Sequence, residues 1–227
     1  MELIRYSKFA ESIGVAPAAD LPTLVVMKRD IETKLQQQFT KEEIEQWSTG
    51  GRFDKNALTL FAFVRRFKPK IAVETGVGQG VTSYTMLRAM QLNGFGKLIS
   101  IDLPNRNPAG YFNKDGQHDF VYTPEDKAPG WLIPEFLRRN WDFRLGTSAK
   151  ILPTIQGRID FFFHDSEESY FNMTFEYGWA LDHLDNGGIL ASYNIDWNSA
   201  FRDFRTAHSE FELLFEGTDF GVLRKPR

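Results

Sequence analysis

The ten residues from 71 to 80, Ile-Ala-Val-Glu-Thr-Gly-Val-Gly-Gln-Gly, constrain the fold more than any other part of the chain. Residues 71–73 form an apolar run of the kind buried on both faces in parallel sheets. Gly76, Gly78 and Gly80 then allow a turn that residues with a Cβ resist, and they leave room for a ligand against the backbone. Composition turns helical over Val81–Asn93, so free N–H groups and the positive end of a helix dipole lie beside the turn. A strand, a glycine hinge and a helix in that order predict an α/β chain with a ligand cleft at the hinge.

The rest of the chain continues the alternation. Lys97–Asp102 reads as a second strand, Trp141–Leu145 as a third, residues 158–165 as a fourth and 189–193 as a fifth. Helices are expected over residues 131–139, after Ser148, over 166–184 with a solvent-facing acidic start at Glu167 and Glu168, and over 196–208. Residues 211–215 and 220–223 read as a closing hairpin. The pattern predicts a Rossmann-like, doubly wound, mostly parallel seven-stranded sheet with a terminal antiparallel hairpin strand. Ahead of it, residues 1–21 read as an arm and 24–47 as helices broken near Thr40, where Thr40 and Glu43 resemble a capping box. Asp54 is placed to cap Lys55–Phe67. The organisation expected is a helical arm or cap over residues 1–55 and a ligand-binding domain over 56–227. Residues 103–130, rich in Pro, Asn, Gly and Asp, read as a long lid or entry segment.

Composition excludes several functions. The 227 residues carry a formal charge of −3, which gives no electrostatic footprint for nucleic acid or an anionic membrane. No apolar run is long enough to span a bilayer. The chain has no cysteine, which removes disulfides, thiol catalysis and thiolate metal sites and fits a cytoplasmic location. A homo-oligomer stays open.

A dinucleotide fingerprint needs a glycine at its sixth position, where this chain has Val81, and it does not include a carboxylate such as Glu74 ahead of the glycines. Asp102 lies about twenty residues beyond Gly80, where Rossmann-like folds place the carboxylate that meets ribose hydroxyls. A tight turn without ligand at the glycines, and a plain turn or cap role for Asp102, are the alternatives. Glu74-Thr-Gly-Val-Gly-Gln-Gly80 resembles the first motif of class I S-adenosylmethionine-dependent methyltransferases. With Ile101-Asp102, residues 130–134, His164-Asp165-Ser166, Tyr170, residues 186–188 and Asp196-Trp197, the chain is similar to the small-molecule branch of that superfamily, related to catechol O-methyltransferase and cephalosporin-hydroxylase-like proteins.

The resemblance implies an S-adenosylmethionine-dependent methyltransferase acting on a hydroxyl of a small-molecule acceptor, a sugar or secondary metabolite. It implies cofactor contacts from Glu74, Thr75, Gly76, Gly78, Gly80, Thr82, Ser83, Asp102, Thr147, Ser148 and Asp165. Catalysis falls to Asp165, orienting or deprotonating the acceptor, with Asn194 as hydrogen-bonding partner; a helix-cap role for Asp165 is the alternative. Tyr170, Tyr193 and Trp197 are candidate acceptor-pocket walls, or plain core. Arg52, Phe53 and Asp54 are placed to touch the acceptor. His164 reads as a satisfied buried residue. Some relatives hold a divalent metal at the ends of the fourth and fifth strands. Asp165 matches one ligand, but Tyr193-Asn194 replaces a carboxylate, so a magnesium site built on Asp165, Asn194, Glu168 or Asp196 is not favoured. A catalytically inactive binding protein of the same fold is the second reading, and a nicotinamide oxidoreductase the third.

Overall fold

The computed structural model describes residues 2–46, 52–103, 111–112, 118–119, 123–124 and 126–227. Much of the expected lid over residues 103–130 lies outside the described residues, apart from a two-stranded antiparallel ladder of β3 (Tyr111–Phe112) and β4 (His118–Asp119).

The main sheet is built from β1 (Ile71–Thr75), β2 (Lys97–Asp102), β5 (Trp141–Leu145), β6 (Ile159–His164), β7 (Leu184–Tyr193), β8 (Glu212–Glu216) and β9 (Phe220–Arg224). Their order is β5-β2-β1-β6-β7-β9-β8. The first five strands run parallel, and β9 is antiparallel to both neighbours. The mostly parallel sheet with its closing hairpin is thus present. Side chains alternate across a strand, so an element covered on both faces must be apolar throughout. In β6, Phe161 and Phe163 enter one core and Phe162 the other, all three fully buried. Asp160 near its start accepts from the N–H groups of Lys70 and Ile71, at 2.9 and 2.8 Å, which fixes where β1 begins.

On one face lie α4 (Lys55–Phe67) and α5 (Val81–Asn93), covered in turn by α1 (Glu2–Ser12) and α2 (Leu21–Gln36). On the other lie α7 (Ser148–Ile151), α8 (Tyr170–His183) and α9 (Ala200–Ala207). Two short helices, α3 (Lys41–Gln46) and α6 (Glu135–Arg138), complete the set. Local signals hold where they were expected: Thr40 and Glu43 exchange both hydrogen bonds of a capping box, and Asp54 accepts from Asn56 N and Ala57 N at the start of α4. The N-terminal arm is tied down by a buried carboxylate, Asp20, which accepts from Tyr6 Oη at 2.8 Å and Arg65 Nε at 2.9 Å.

Three expectations need correction. The strand read as residues 189–193 starts at Leu184 and runs through Gly187 and Gly188, which were expected to separate helix from strand. The helix expected from residue 196 starts at Ala200, because Asn194 takes a left-handed φ of 51° and the chain turns there first. Helix α8 starts at Tyr170, and Glu168, read as solvent-facing, is buried.

Candidate active site

The cleft is set by how the carboxyl ends of β2, β1 and β6 are laced together. Gly76 N donates to Ile101 O at 2.9 Å, and Asp165 N donates to Thr75 O at 2.9 Å. Gly76 has a φ of +80°, and a Cβ there would lie 1.8 Å from the carbonyl oxygen of Asp165. Only glycine permits this approach of the hinge to the end of β6. A second segment closes the hinge from the side: Gly130 N donates to Gly78 O at 2.9 Å and Leu132 N to Gln79 O at 3.1 Å.

Glu74 holds the hinge from inside. Its fully buried carboxylate accepts from Thr82 Oγ1 at 2.7 Å, from Ser83 Oγ, and from Ser100 Oγ at 2.7 Å. Ser100 in turn accepts from Trp141 Nε1 at 2.9 Å, which carries the chain of bonds across β2 to β5. Three residues of the expected cofactor set, Glu74, Thr82 and Ser83, therefore bond one another where the first turn of α5 meets β1. Burial pushes the Glu74 carboxyl up to about 7 against these hydroxyl bonds, with the Asp102 charge adding to the rise. A folded-state value above the unfolded one means that this group's contribution to stability is full below its unfolded value, about 4.3. The contribution is lost as pH rises through about 7. Glu74→Gln is expected to flatten that part of the stability profile, leaving the same-sign slope from Asp102 and Asp165. Urea midpoints at about pH 5 and about pH 8 measure it, and an unchanged slope contradicts the assignment.

Beneath the same edge sits Glu176 of α8, which the sequence reading missed. Its buried carboxylate accepts from Thr75 Oγ1 at 2.5 Å and Ser166 Oγ at 2.8 Å, and pairs with His164 Nδ1 at 2.7 Å. Asn172 Nδ2 bonds Glu176 Oε1 at 3.1 Å and Ser166 Oγ at 3.1 Å, and Ser148 Oγ reaches Asn172 Oδ1 at 3.3 Å. Burial alone would raise the Glu176 carboxyl, but attraction to His164 and the hydrogen bonds outweigh it and hold it below its ordinary value. His164 is buried as expected, though its Nε2 has no hydrogen-bond partner among the described residues. Gln79, inside the hinge, was also missed: both polar atoms of its buried amide lack partners there.

Asp102 closes β2 and turns its carboxylate to the hinge, accepting from Val77 N at 3.1 Å, Gly78 N at 2.8 Å and Leu103 N at 2.7 Å. Burial raises it against these backbone bonds. Asp165 is pushed well above the usual carboxylate range by burial, then by the charges of Glu168, Glu74, Asp54 and Asp102. Asn194 donates through Nδ2 to Glu168 Oε1 at 2.6 Å, and Asn198 Nδ2 holds the Glu168 carbonyl at 2.7 Å. Tyr193 is packed edge-on between Phe163 and Phe220, with ring centroids 5.2 and 5.1 Å away. Trp197 is half-buried and donates its N–H to Asn194 O at 3.1 Å, while Tyr170 is exposed at the first turn of α8. Thr147 is exposed ahead of α7, which Ser148 begins. Among the described residues no group of three or more His, Asp or Glu converges as metal ligands.

The electrostatics of this edge are one-sided. The charges of Glu168, Glu74, Asp54 and Asp102 all raise Asp165, and a cation entering the cleft beside it would act the other way.

A methyltransferase-domain family model matches residues 73–195, from β1 through the end of β7. No curated protein matches the sequence. Solved structures share the fold. The S-adenosylhomocysteine-bound methyltransferase PaMTH1 of Podospora anserina is 13% identical, with a TM-score of 0.59 over 88% of each chain. The O-methyltransferase of Bacillus cereus, also with S-adenosylhomocysteine, is 15% identical, with a TM-score of 0.58 over 87% of this chain and 91% of its own. TomG of Streptomyces achromogenes, an O-methyltransferase of tomaymycin synthesis solved with S-adenosylmethionine, is 14% identical, with a TM-score of 0.59 over 87% and 90%.

Proposed function

The chain belongs to the methyltransferase-domain family, and from that premise we propose that it moves the methyl group of S-adenosylmethionine to a hydroxyl of a small molecule, a sugar or secondary metabolite. The observation that carries the reading is the glycine hinge seated against the end of β6, where burial and the charges of neighbouring carboxylates push Asp165 up. Bound there, the cofactor supplies a methyl group made electrophilic by a positively charged sulfur.

The residues divide the work as follows. Gly76, Gly78 and Gly80 offer backbone to the amino-acid end, with Thr75 at the base of the hinge and Glu74, Thr82 and Ser83 holding its shape. Asp102 exchanges its bonds to Val77 and Gly78 for ribose hydroxyls. Thr147 and Ser148 border the base. Asp165 would orient the acceptor hydroxyl and take its proton. A carboxylate held above its ordinary range is, once ionised, a stronger base than one at its ordinary value. Asn194 fixes Glu168 beside it. Residues 1–55 act as the cap and 56–227 as the cofactor-binding body. We place this chemistry in the cytoplasm, in keeping with a chain without cysteine.

The test is transfer of labelled methyl from S-adenosylmethionine to a panel of hydroxylated small molecules, with and without magnesium. Turnover is expected for at least one acceptor, with Asp165→Asn lowering kcat at saturating S-adenosylmethionine about 100-fold or more. Cofactor binding without transfer to any acceptor would favour the inactive binding protein, and an Asp165→Asn enzyme of full activity would remove Asp165 from the mechanism.

A further inference from the structure

The ends of β6 and β7 set two polar side chains beside each other. The strands run parallel with His164 opposite Ser192, so Asp165 and Tyr193 are the next pair. Asp165 N still bonds Thr75 O, which carries the ladder one residue past β6. His164 bonds Glu176 and Ser192 bonds Tyr177, both on α8. Side chains alternate along a strand, so Asp165 and Tyr193 leave the opposite face, where Tyr193 joins the core beneath α4 and α5. Adjacent strands lie about 4.8 Å apart, and the two side chains therefore start out as neighbours.

The ring and the hydroxyl of Tyr193 serve different ends. The ring is core, gripped edge-on by Phe163 and Phe220, and the residue is only 1% exposed. Its hydroxyl makes no hydrogen bond among the described residues, although a buried tyrosine hydroxyl ordinarily finds a partner. Unlike the indole N–H groups of Trp131 and Trp179, which are sealed off without partners, Tyr193 Oη keeps some of that small exposed surface. The half-buried Asp165 carboxyl also accepts no hydrogen bond from a described residue, and the two groups do not bond each other. Burial, with the charges of Asp54, Asp165, Asp219 and Glu74, pushes the phenol well above its ordinary range. It keeps its proton at neutral pH and so acts as a donor, not as a base.

A donor and an acceptor that stand side by side unjoined suit a ligand atom that accepts from one and donates to the other. A hydroxyl does both. An ammonium has no lone pair to offer Tyr193, and an ether or a carbonyl has no hydrogen for Asp165. We propose that Tyr193 is a second binding point for the methyl acceptor, its hydroxyl donating to the reacting oxygen while Asp165 accepts that oxygen's hydrogen. The inference rests on the methyltransferase reading and deepens it, because it makes the site selective for a hydroxyl over an amine. With one lone pair held by Tyr193 and the hydrogen held by Asp165, the direction of the remaining lone pair is fixed.

Tyr193→Phe tests this, since it keeps the ring between Phe163 and Phe220 and removes an oxygen that no described residue bonds. Its urea midpoint is expected to equal or exceed that of the parent. Parent and variant, each saturated with S-adenosylhomocysteine, are then titrated by calorimetry with glucose, catechol, benzyl alcohol and benzylamine. At least one hydroxyl compound is expected to bind the parent about 3–10-fold more tightly than the variant, as one neutral hydrogen bond implies. Benzylamine should show no such difference, and S-adenosylhomocysteine affinity should stay within about twofold. A lower urea midpoint would give the hydroxyl a structural partner and overturn the proposal. Equal binding of the hydroxyl compounds by both proteins, no binding of any of them, or an equal loss for benzylamine overturns it too. If S-adenosylhomocysteine fails to bind the parent, the methyltransferase reading falls. If it binds and the hydroxyl compounds do not distinguish the two proteins, only the role of Tyr193 falls.

Discussion

Glu176→Ala is expected to cost the fold about 3–5 kcal/mol, the range for removing one partner of a buried ion pair. That is a large share of the roughly 5–15 kcal/mol that holds a domain together. The size follows from what the carboxylate does. It is the shared acceptor for Thr75 at the end of β1, for Ser166 just past β6 and for Asn172 of α8, and it is the partner of His164. Its loss leaves buried donors on three elements unsatisfied at once, each carrying a desolvation penalty. Glu176→Gln preserves an acceptor and the volume, so it should be much milder. Urea unfolding of both variants decides the matter. An alanine variant whose midpoint stays near that of the parent would show that the cluster is not what ties these strand ends together.

Gly76→Ala is expected to abolish cofactor binding, with at least a 100-fold loss of S-adenosylhomocysteine affinity, about 2.7 kcal/mol or more. The added Cβ meets backbone, not a side chain that can swing away: 1.8 Å from Asp165 O, 2.4 Å from its carbonyl carbon and 2.9 Å from Ser166 N. Relief requires the ends of β1 and β6 to part, which breaks the 2.9 Å bond from Asp165 N to Thr75 O. Gly78 is the informative control. It also has a left-handed φ, +49°, but a Cβ there finds nothing within 4 Å. Gly78→Ala should therefore cost only about 1–2 kcal/mol of backbone strain, while still placing a methyl group where the ligand approaches. If Gly76→Ala binds S-adenosylhomocysteine as tightly as the parent, the hinge is not the cofactor cradle.

How much of this was legible in the sequence depends on how local each signal is. The bounds of α5 and β2 were readable because a glycine hinge, a periodic apolar pattern and a strand-ending acid all act within a few residues. The capping box at Thr40 and the cap at Asp54 are equally local. Glu176 was not readable, because its partner Thr75 lies 101 positions away and nothing on α8 announces it. Glu168 looked like an ordinary acidic helix start. Only the fold brings Asn194, 26 positions on, to its carboxylate and buries it. The glycine pair at Gly187 and Gly188 has the composition of a break, but pairing of Leu184 with Ile159 pulls that segment into β7. The charged lining of the cavity between α2, α3 and residues 52–54 was likewise hidden, since Lys28, Lys41 and Arg52 come from two helices and a connecting segment. Of that set only Arg52 was singled out beforehand, with Phe53 and Asp54.

One titration tests the central claim most directly: S-adenosylhomocysteine into the wild-type protein by calorimetry, with NAD run alongside. A single saturable site for S-adenosylhomocysteine, no heat from NAD, and loss of the signal in Gly76→Ala is the predicted result. No binding of S-adenosylhomocysteine, or saturable binding of NAD in its place, would contradict it.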